Sequence, residues 1–239
     1  MNAAAVLLWD IDGTLIAATG DDERRYGIVL RELLDDPDIE APSHTSGLTD
    51  HGIIRDCLLR HGLSEHDTAL LVPVALEAME ILTASEAALA GEIPLLPGVR
   101  ELLEQPWSSA VIQTAGTGNA RRRARIKLDA AGLTGYFDLG VGGYGDLPAD
   151  RWRILEESVE RVDLLRGGPV ERDRVVVIGD TPRDVAAAQR AGLRSVGVAT
   201  GHHGAAELEE AGAGLVVQDL AAGMQEVDRF VEGVLRARA

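Results

Sequence analysis

The chain reads RVVVIGD at residues 174–180, an unbroken apolar run that ends in a glycine and an aspartate. A similar run, AVLLW at 5–9, also leads directly into an aspartate. Such runs are typical of strands in a parallel sheet that helices cover on both faces. Helical patterns separate the runs, so we predict the α/β class with a doubly wound, Rossmann-like parallel sheet. Further strands are predicted at 110–113, 137–141, 195–199 and 214–217, and helices at 120–131, 150–165 and 184–191.

Residues 16–93 differ from the rest of the chain because they contain no convincing strand. The stretch PLLPG at 94–98 closes this segment with two prolines and a glycine, a signal for a stiff linker. We therefore predict an α/β core formed by 1–15 and 94–239, with an inserted all-helical cap domain formed by 16–93. Within the insert, helices are predicted at 22–34, 49–61 and 64–90.

Composition narrows the possible partners and the compartment. The 239 residues carry a net charge of −16, which repels polyanions, so we expect no nucleic acid partner. The single cysteine, Cys57, cannot form an intramolecular disulfide, which favours a cytoplasmic protein. No apolar run reaches the roughly 18 residues of a membrane span, so we expect no membrane partner. Monomer and homodimer both remain open.

The most informative motif is DIDGTL at residues 10–15, directly after the first predicted strand. Ligands of an open parallel sheet bind beyond the carboxyl ends of its strands. Asp10 and Asp12 can converge there, one to hold a metal or attack and the other to transfer a proton. Gly13 permits the sharp turn between strand and site. The alternative is an ordinary Asx turn without chemistry.

A second acidic motif, GDTPRD at 179–184, follows the clearest strand. It adds Asp180 and Asp184 to the same edge of the sheet, although Asp184 could serve only to cap the helix that begins after Thr181. The acids of both motifs would repel one another without a cation, and oxygen ligands of this kind suit Mg²⁺. The pair His202-His203 offers only weak competing ligands.

Hydroxyl and small residues predict where a substrate would bind. The sequence VIQTAG at 111–116 ends a predicted strand, so Thr114 and the backbone of its neighbours could bind a phosphate, or Thr114 could merely cap a helix. The stretch HTSGLTD at 44–50 joins two helices of the insert and could select the substrate or cap a helix. The predicted substrate contacts are Gly13, Thr14, His44, Thr45, Thr49, Ala115 and Gly116, and the candidates for an anionic group are Arg24, Arg25 and Arg55. Residues Arg121, Arg122, Arg123 and Arg125 are interpreted as a solvated helix face.

These motifs, in this order, resemble the haloacid dehalogenase superfamily of phosphohydrolases, and most of all its phosphoglycolate-phosphatase-like members with a C1-type helical cap. The resemblance implies that Asp10 is a nucleophile forming an aspartyl-phosphate and that Asp12 is the general acid and base. It also implies Mg²⁺ as the cofactor, with Thr114 on the transferring phosphoryl group. The implied metal ligands are Asp10, the backbone carbonyl of Asp12, Asp180 and, through water, Asp184.

The sequence departs from the family at its third motif, which is usually a lysine beside the nucleophile. The only lysine, Lys127, is expected inside the helix after Thr114, several turns from the site. We therefore predict that Arg151 replaces it, with Arg153 as the second choice, because arginine binds phosphate in a bidentate manner.

The function expected from the resemblance is a phosphatase acting on a small phosphorylated metabolite. A phosphomutase of the β-phosphoglucomutase type shares every core motif and remains an alternative. A 2-haloacid dehalogenase is less favoured, because it needs neither Asp12 nor the second acidic motif. A non-catalytic binding protein remains open because the motif lysine is missing.

Overall fold

A single parallel sheet of five strands forms the centre of the protein in this computed structural model, which describes residues 5–18, 21–148 and 150–236. The strand order is β2-β1-β3-β4-β5, and every neighbouring pair is parallel. The α/β class predicted from the sequence is therefore confirmed. The strands are β1 (Ala5–Trp9), β2 (Val111–Ala115), β3 (Val175–Gly179), β4 (Arg194–Val198) and β5 (Leu215–Val217).

Helices cover both faces of this sheet, as the doubly wound prediction requires. The helices are α1 (Asp21–Leu34), α2 (Asp50–Arg60), α3 (Glu65–Ala90), α4 (Val99–Leu103), α5 (Arg121–Ala130), α6 (Arg151–Arg166), α7 (Pro182–Arg190), α8 (Ala205–Glu210) and α9 (Met224–Arg236). Side chains alternate along β1, so Leu7 packs in one apolar cluster with α4, α5 and α9. Leu8 packs on the opposite face in a second cluster with α6 and α7.

The predicted strand at 137–141 is wrong. Asp138 N does donate to the Gln113 carbonyl at 2.8 Å, beside β2. The chain then turns instead of extending, because the Asp138 side chain accepts a hydrogen bond from Gly140 N at 3.0 Å. A carboxylate that satisfies a nearby backbone amide offers the chain an alternative to a ladder.

Helices α1, α2 and α3 share an apolar cluster of their own, which contains Tyr26, Ile54 and Met79. Cys57 is buried in this cluster, as a small core residue would be. In length and composition α3 could cross a membrane, and no other helix in the described ranges could. That is weak evidence, because core helices of soluble proteins meet the same criterion, and α3 packs on α1, α2 and α5.

The strand order places a switch point at β1. The chain leaves β1 for β2 on one side of it and later returns to β3 on the other side. The carboxyl ends of β1 and β3 therefore face a crevice of the kind in which open α/β sheets bind ligands. Both acidic motifs begin at these two strand ends.

Candidate active site

Asp10 lies at the end of β1 and is held in line with β3, because its backbone N donates to the Ile178 carbonyl at 2.9 Å. Gly13 turns the chain immediately afterwards with a φ of +81°. A Cβ on Gly13 would collide with the carboxylate of Asp180, so glycine is needed there for both conformation and space. The tight turn thereby brings the first motif against the second.

Three carboxylates form what we call the acid cluster, namely Asp10, Asp180 and Asp184. One oxygen of each lies within 4.8 Å of the others, and all three residues are buried. Asp184 also caps α7, since its Oδ2 accepts a hydrogen bond from the Thr181 backbone N at 3.2 Å. Its structural role and its place in the site are therefore compatible.

The acid cluster has an electrostatic cost. Burial raises the pKa of Asp180 to about 9, and the charges of Asp10 and Asp184 contribute further. Burial also raises the pKa of Asp10 to about 6, although Arg151 opposes that shift. A hard divalent cation would offset this desolvation and repulsion, so three converging carboxylates fit a metal such as Mg²⁺.

Arg151 begins α6 and is the basic residue at the acid cluster. Its Nη2 lies 3.0 Å from Asp10 Oδ1 and also contacts Asp184 Oδ1. Burial by itself would lower the pKa of Arg151, but the charges of Asp10 and Asp184 raise it. Arg153, the second choice from the sequence, is 45% exposed and pairs with Glu156 and Glu160 instead.

The expected position of Lys127 is wrong. Its Nζ lies 2.8 and 2.7 Å from the two carboxylate oxygens of Asp12, and Asn119 Nδ2 donates to the same carboxylate at 2.7 Å. The number of helical turns between Thr114 and Lys127 does not show which side of α5 faces the site. The packing of α5 places Lys127 against Asp12 and against Asp22 of α1, whose Oδ2 lies 3.2 Å from Nζ. Asp12 therefore has a cation of its own, separate from Arg151.

The structure brings Thr117, rather than Thr114, to the nucleophile candidate. Thr117 hydrogen-bonds to Asp10, whereas the Thr114 hydroxyl donates to the Asp138 carbonyl at 2.6 Å. The strand pairing continues past β2 through a bridge between Gly116 and Gly143, so the chain reaches the crevice three residues later than expected. The run Thr-Gly-Asn at 117–119 carried the signal that sequence reasoning missed.

Of the other predicted substrate contacts, some lie at the cavity above the acid cluster and others do not. Thr45 lines the cavity above the acids, and Thr14 donates to Asp180 Oδ1 at 3.3 Å. Thr49 instead caps α2 by accepting from Gly52 N at 3.0 Å, and His44 lines a neighbouring groove. Ala115 is buried in the core beside β1, and a Cβ on Gly116 would meet Leu8 and Leu155. Neither of these two residues lines the cavity.

The cavity above the acid cluster is small, about 80 Å³. Its floor comes from the strand ends and its roof from α1, α2 and the loop at 45–48. It therefore fits a phosphoryl group with a short organic part. Its lining includes Asp10, Asp12, Asp180, Arg151, Thr117, Gly118, Asn119, Asp22, Glu23, Tyr26, Thr45, Ser46, Asp50 and His202.

Known hydrolases are similar to this chain in sequence and in fold. The family model described as HAD-hydrolase-like matches residues 153–223. A phosphoglycolate phosphatase of Pseudomonas putida is 24% identical over 226 residues, which cover 91% of this chain and 77% of the relative. These matches show that the chain is similar to hydrolases of the haloacid dehalogenase superfamily. It is a phosphatase, a hydrolase of phosphate monoesters.

Solved structures show the same fold at low identity. A hydrolase from Pseudomonas syringae is 24% identical, with a TM-score of 0.61, and the match covers 94% of this phosphatase and 98% of that chain. CbbY from Rhodobacter sphaeroides, in complex with xylulose-1,5-bisphosphate, is 22% identical with a TM-score of 0.64, and covers 91% and 95% of the two chains. The fold of the phosphatase is thus shared over nearly its whole length.

A second group of buried charges joins α1, α2 and α5 of the phosphatase, and we call it the interhelical ion cluster: Asp22, Asp50, Arg123 and Lys127. Arg123 is fully buried, with its Nη1 2.8 Å from Asp50 Oδ1 and its Nη2 on Asp22. Although burial acts to raise the pKa of Asp22, Lys127 and Arg123 hold it well below its usual range. The interpretation of Arg123 as a solvated residue is therefore wrong.

Proposed function

We propose that this phosphatase uses Mg²⁺ and hydrolyses a small phosphorylated metabolite through an aspartyl-phosphate on Asp10, as the resemblance to phosphoglycolate phosphatases implies. The observation that carries the proposal is the geometry around Asp10: a buried carboxylate beside two other acids, a guanidinium at 3.0 Å and a hydroxyl donor. The similarity in sequence to a curated phosphoglycolate phosphatase supports the reaction class.

In the first step, an Asp10 carboxylate oxygen attacks phosphorus and the bond from phosphorus to the leaving oxygen breaks. Asp12 gives its proton to that oxygen, and the alcohol departs. In the second step, Asp12 takes a proton from the water that attacks the phosphorus, which restores Asp10 and releases phosphate. Lys127 and Asn119 hold the Asp12 carboxylate in place for both transfers.

Arg151 is proposed to balance the charge of the transferring group, because its guanidinium already contacts Asp10 and its planar fork suits a phosphate. Thr117, in place of Thr114, is proposed to donate to the phosphoryl oxygens. Mg²⁺ would be held by Asp10, the Asp12 carbonyl and Asp180, with Asp184 beside them. The ion would supply positive charge to the phosphoryl oxygens.

Residues 16–93 are proposed to be the cap, with the core formed by 1–15 and 94–239. Support comes from the separate apolar cluster of α1, α2 and α3 and from their position over the strand ends. A helical roof excludes water and strengthens the charge interactions beneath it. A cytoplasmic location is part of the same proposal, supported by a single buried cysteine.

The test combines a substrate panel with two variants. We expect release of inorganic phosphate from p-nitrophenyl phosphate and small alkyl phosphates with Mg²⁺, and loss of release with a chelator. Asp10→Asn should abolish turnover. Asp12→Ala should slow alkyl phosphates by about 10²–10⁴-fold, and p-nitrophenyl phosphate less, because a good leaving group needs no acid.

Near-normal turnover in Asp10→Asn would refute the nucleophile. Equal losses across the leaving groups in Asp12→Ala would refute the acid. A phosphorylated isomer in place of inorganic phosphate would identify a phosphomutase.

A further inference from the structure

Glu23 is an acid in the cavity whose charge no cation balances. It lies in the first turn of α1 and lines the same cavity as Asp10 and Asn119. Its Oε1 accepts a hydrogen bond from the Thr45 hydroxyl at 2.7 Å, which orients the carboxylate. Among the described residues, no side-chain nitrogen of an arginine, lysine or histidine lies within 4.0 Å of a carboxylate oxygen of Glu23. Its neighbour Asp22, in contrast, has three cationic partners.

The other acids of the roof, Asp22 and Asp50, have cationic partners, and so does Asp12 of the first motif. Lys127 pairs with Asp12, and Arg123 pairs with Asp22 and Asp50. With these charges balanced, the carboxylate of Glu23 dominates the field in the part of the cavity that would receive the organic portion of a substrate. A negative group placed there would be repelled, and a positive group would be attracted.

The arginines expected to bind an anionic substrate group are engaged elsewhere. Arg24 donates to Glu86 at 2.6 Å, and Arg25 contacts the same carboxylate. Arg55 binds Glu65 at 2.7 Å, outside the cavity. Within the described residues, Arg151 is the only arginine or lysine that lines the cavity, and Asp10 and Asp184 already occupy it.

A groove rich in arginine lies beside the cavity, with a volume of about 710 Å³. Its cationic lining is Arg55, Arg60, Arg151, Arg183 and Arg190. The loop around Gly47 borders both spaces, and Arg183 Nη1 binds the Ser46 carbonyl of that loop at 2.7 Å. Apart from Arg151, these arginines do not line the cavity above the acid cluster, so they do not balance the charge of Glu23.

We infer that Glu23 determines the specificity of the phosphatase by selecting a phosphate ester whose leaving group carries a positive charge, an amine-bearing alcohol, and by rejecting one that carries a carboxylate. This rests on the proposed function, because it assigns the organic part of that substrate. The choice is set by one side chain in α1.

Three two-carbon esters of similar size test the inference: 2-aminoethyl phosphate, 2-hydroxyethyl phosphate and 2-phosphoglycolate. They differ in the terminal group, which is an ammonium, a hydroxyl or a carboxylate. We expect kcat/KM to fall in that order, by about tenfold at each step, a factor that a modest electrostatic difference supplies. The measurement uses the full chain with Mg²⁺ at one fixed pH near 8.

Variants of Glu23 separate its charge from its shape. Glu23→Gln keeps the hydrogen bond to Thr45 and removes the charge, so the ratio of kcat/KM for the ammonium ester to that for the carboxylate ester should fall by about tenfold or more. Glu23→Lys should invert the order. Glu32→Gln is the matched control, because Glu32 is an exposed acid on the same helix, and it should leave the ratio unchanged.

Any other order of the three esters overturns the inference, and so does an unchanged ratio in Glu23→Gln. A preference for 2-phosphoglycolate would direct attention to the arginine-rich groove. Hydrolysis of p-nitrophenyl phosphate by the parent protein keeps the two proposals apart. If the aryl ester is hydrolysed and the order fails, only the role of Glu23 falls; if no ester is hydrolysed, the proposed function falls with it.

Discussion

Two groups of buried charges lie in the same molecule and differ in the balance between acids and bases. Among the residues that the structure describes, the acid cluster at the strand ends holds three carboxylates against one guanidinium, that of Arg151. The interhelical ion cluster pairs Asp22 and Asp50 with Arg123, and Lys127 binds both Asp22 and Asp12. Buried ions are stable when paired, so the second cluster is complete as it stands. The first has excess negative charge that a cation can neutralise.

Breaking the balanced cluster should give the largest effect. Arg123→Leu leaves Asp22 and Asp50 without their main buried partner, and we expect it to lower the free energy of unfolding by about 3–5 kcal/mol. Urea unfolding measures this loss. Arg125→Leu is the matched control on the same helix. Arg125 is 66% exposed and its loss should cost less than about 1 kcal/mol. Equal losses in the two variants would contradict the structural role of the cluster.

Removing the guanidinium of Arg151 from the acid cluster should chiefly impair catalysis. Arg151→Ala takes away the charge that faces Asp10 and is expected to lower kcat by about 10²-fold or more, the scale of one lost charge-stabilising donor. Arg151→Lys should recover part of the loss. Arg153→Ala, two residues along the same helix, should change steady-state turnover little, because that side chain pairs with Glu156 and Glu160 and is 45% exposed. A stronger effect of Arg153→Ala would reverse the assignment.

The excess charge also predicts how Mg²⁺ affects stability. In the metal-free protein the pKa of Asp180 is raised to about 9 and that of Asp10 to about 6, above an ordinary value of 3.8. The folded state therefore holds more protons than the unfolded state between these values, and its stability falls as the pH rises through them.

Because Mg²⁺ replaces those protons, it should raise Tm more near pH 9 than near pH 6, by a few degrees. Thermal melts with Mg²⁺ and with a chelator measure the shift. Asp180→Asn should remove most of its pH dependence. A shift in Tm that is the same at both pH values in the parent protein would contradict this electrostatic account.

The sequence predicted the core of the fold because apolar runs and turn residues are local signals. The runs at 5–9 and 174–178 became β1 and β3, and the acids that follow them met because parallel strands end at the same edge of a sheet. Asp184 was correctly weighed as a cap, and the structure shows that it is one while its other oxygen contacts Arg151.

The sequence predictions were wrong where the position of a side chain depended on packing between helices, strands and loops. Thr114 was chosen because the strand was expected to end there, and pairing with the chain at Gly143 carried it further. His44 and Thr49 were chosen for their chemistry, which does not say which side of the loop faces the cavity. The strand expected at 137–141 failed because Asp138 bonds to its own turn.

The sequence by itself determined the sheet, the two acidic motifs at its edge and the preference for Arg151 over Arg153. The tertiary structure decided the partners of the charges: Lys127 on Asp12, Arg123 between Asp22 and Asp50, and Glu23 left without a cation. The physical reason is that hydrophobic periodicity is a property of residues close together in the sequence. The strength of an ion pair depends on the distance between two side chains, which helix packing brings together from distant parts of the chain.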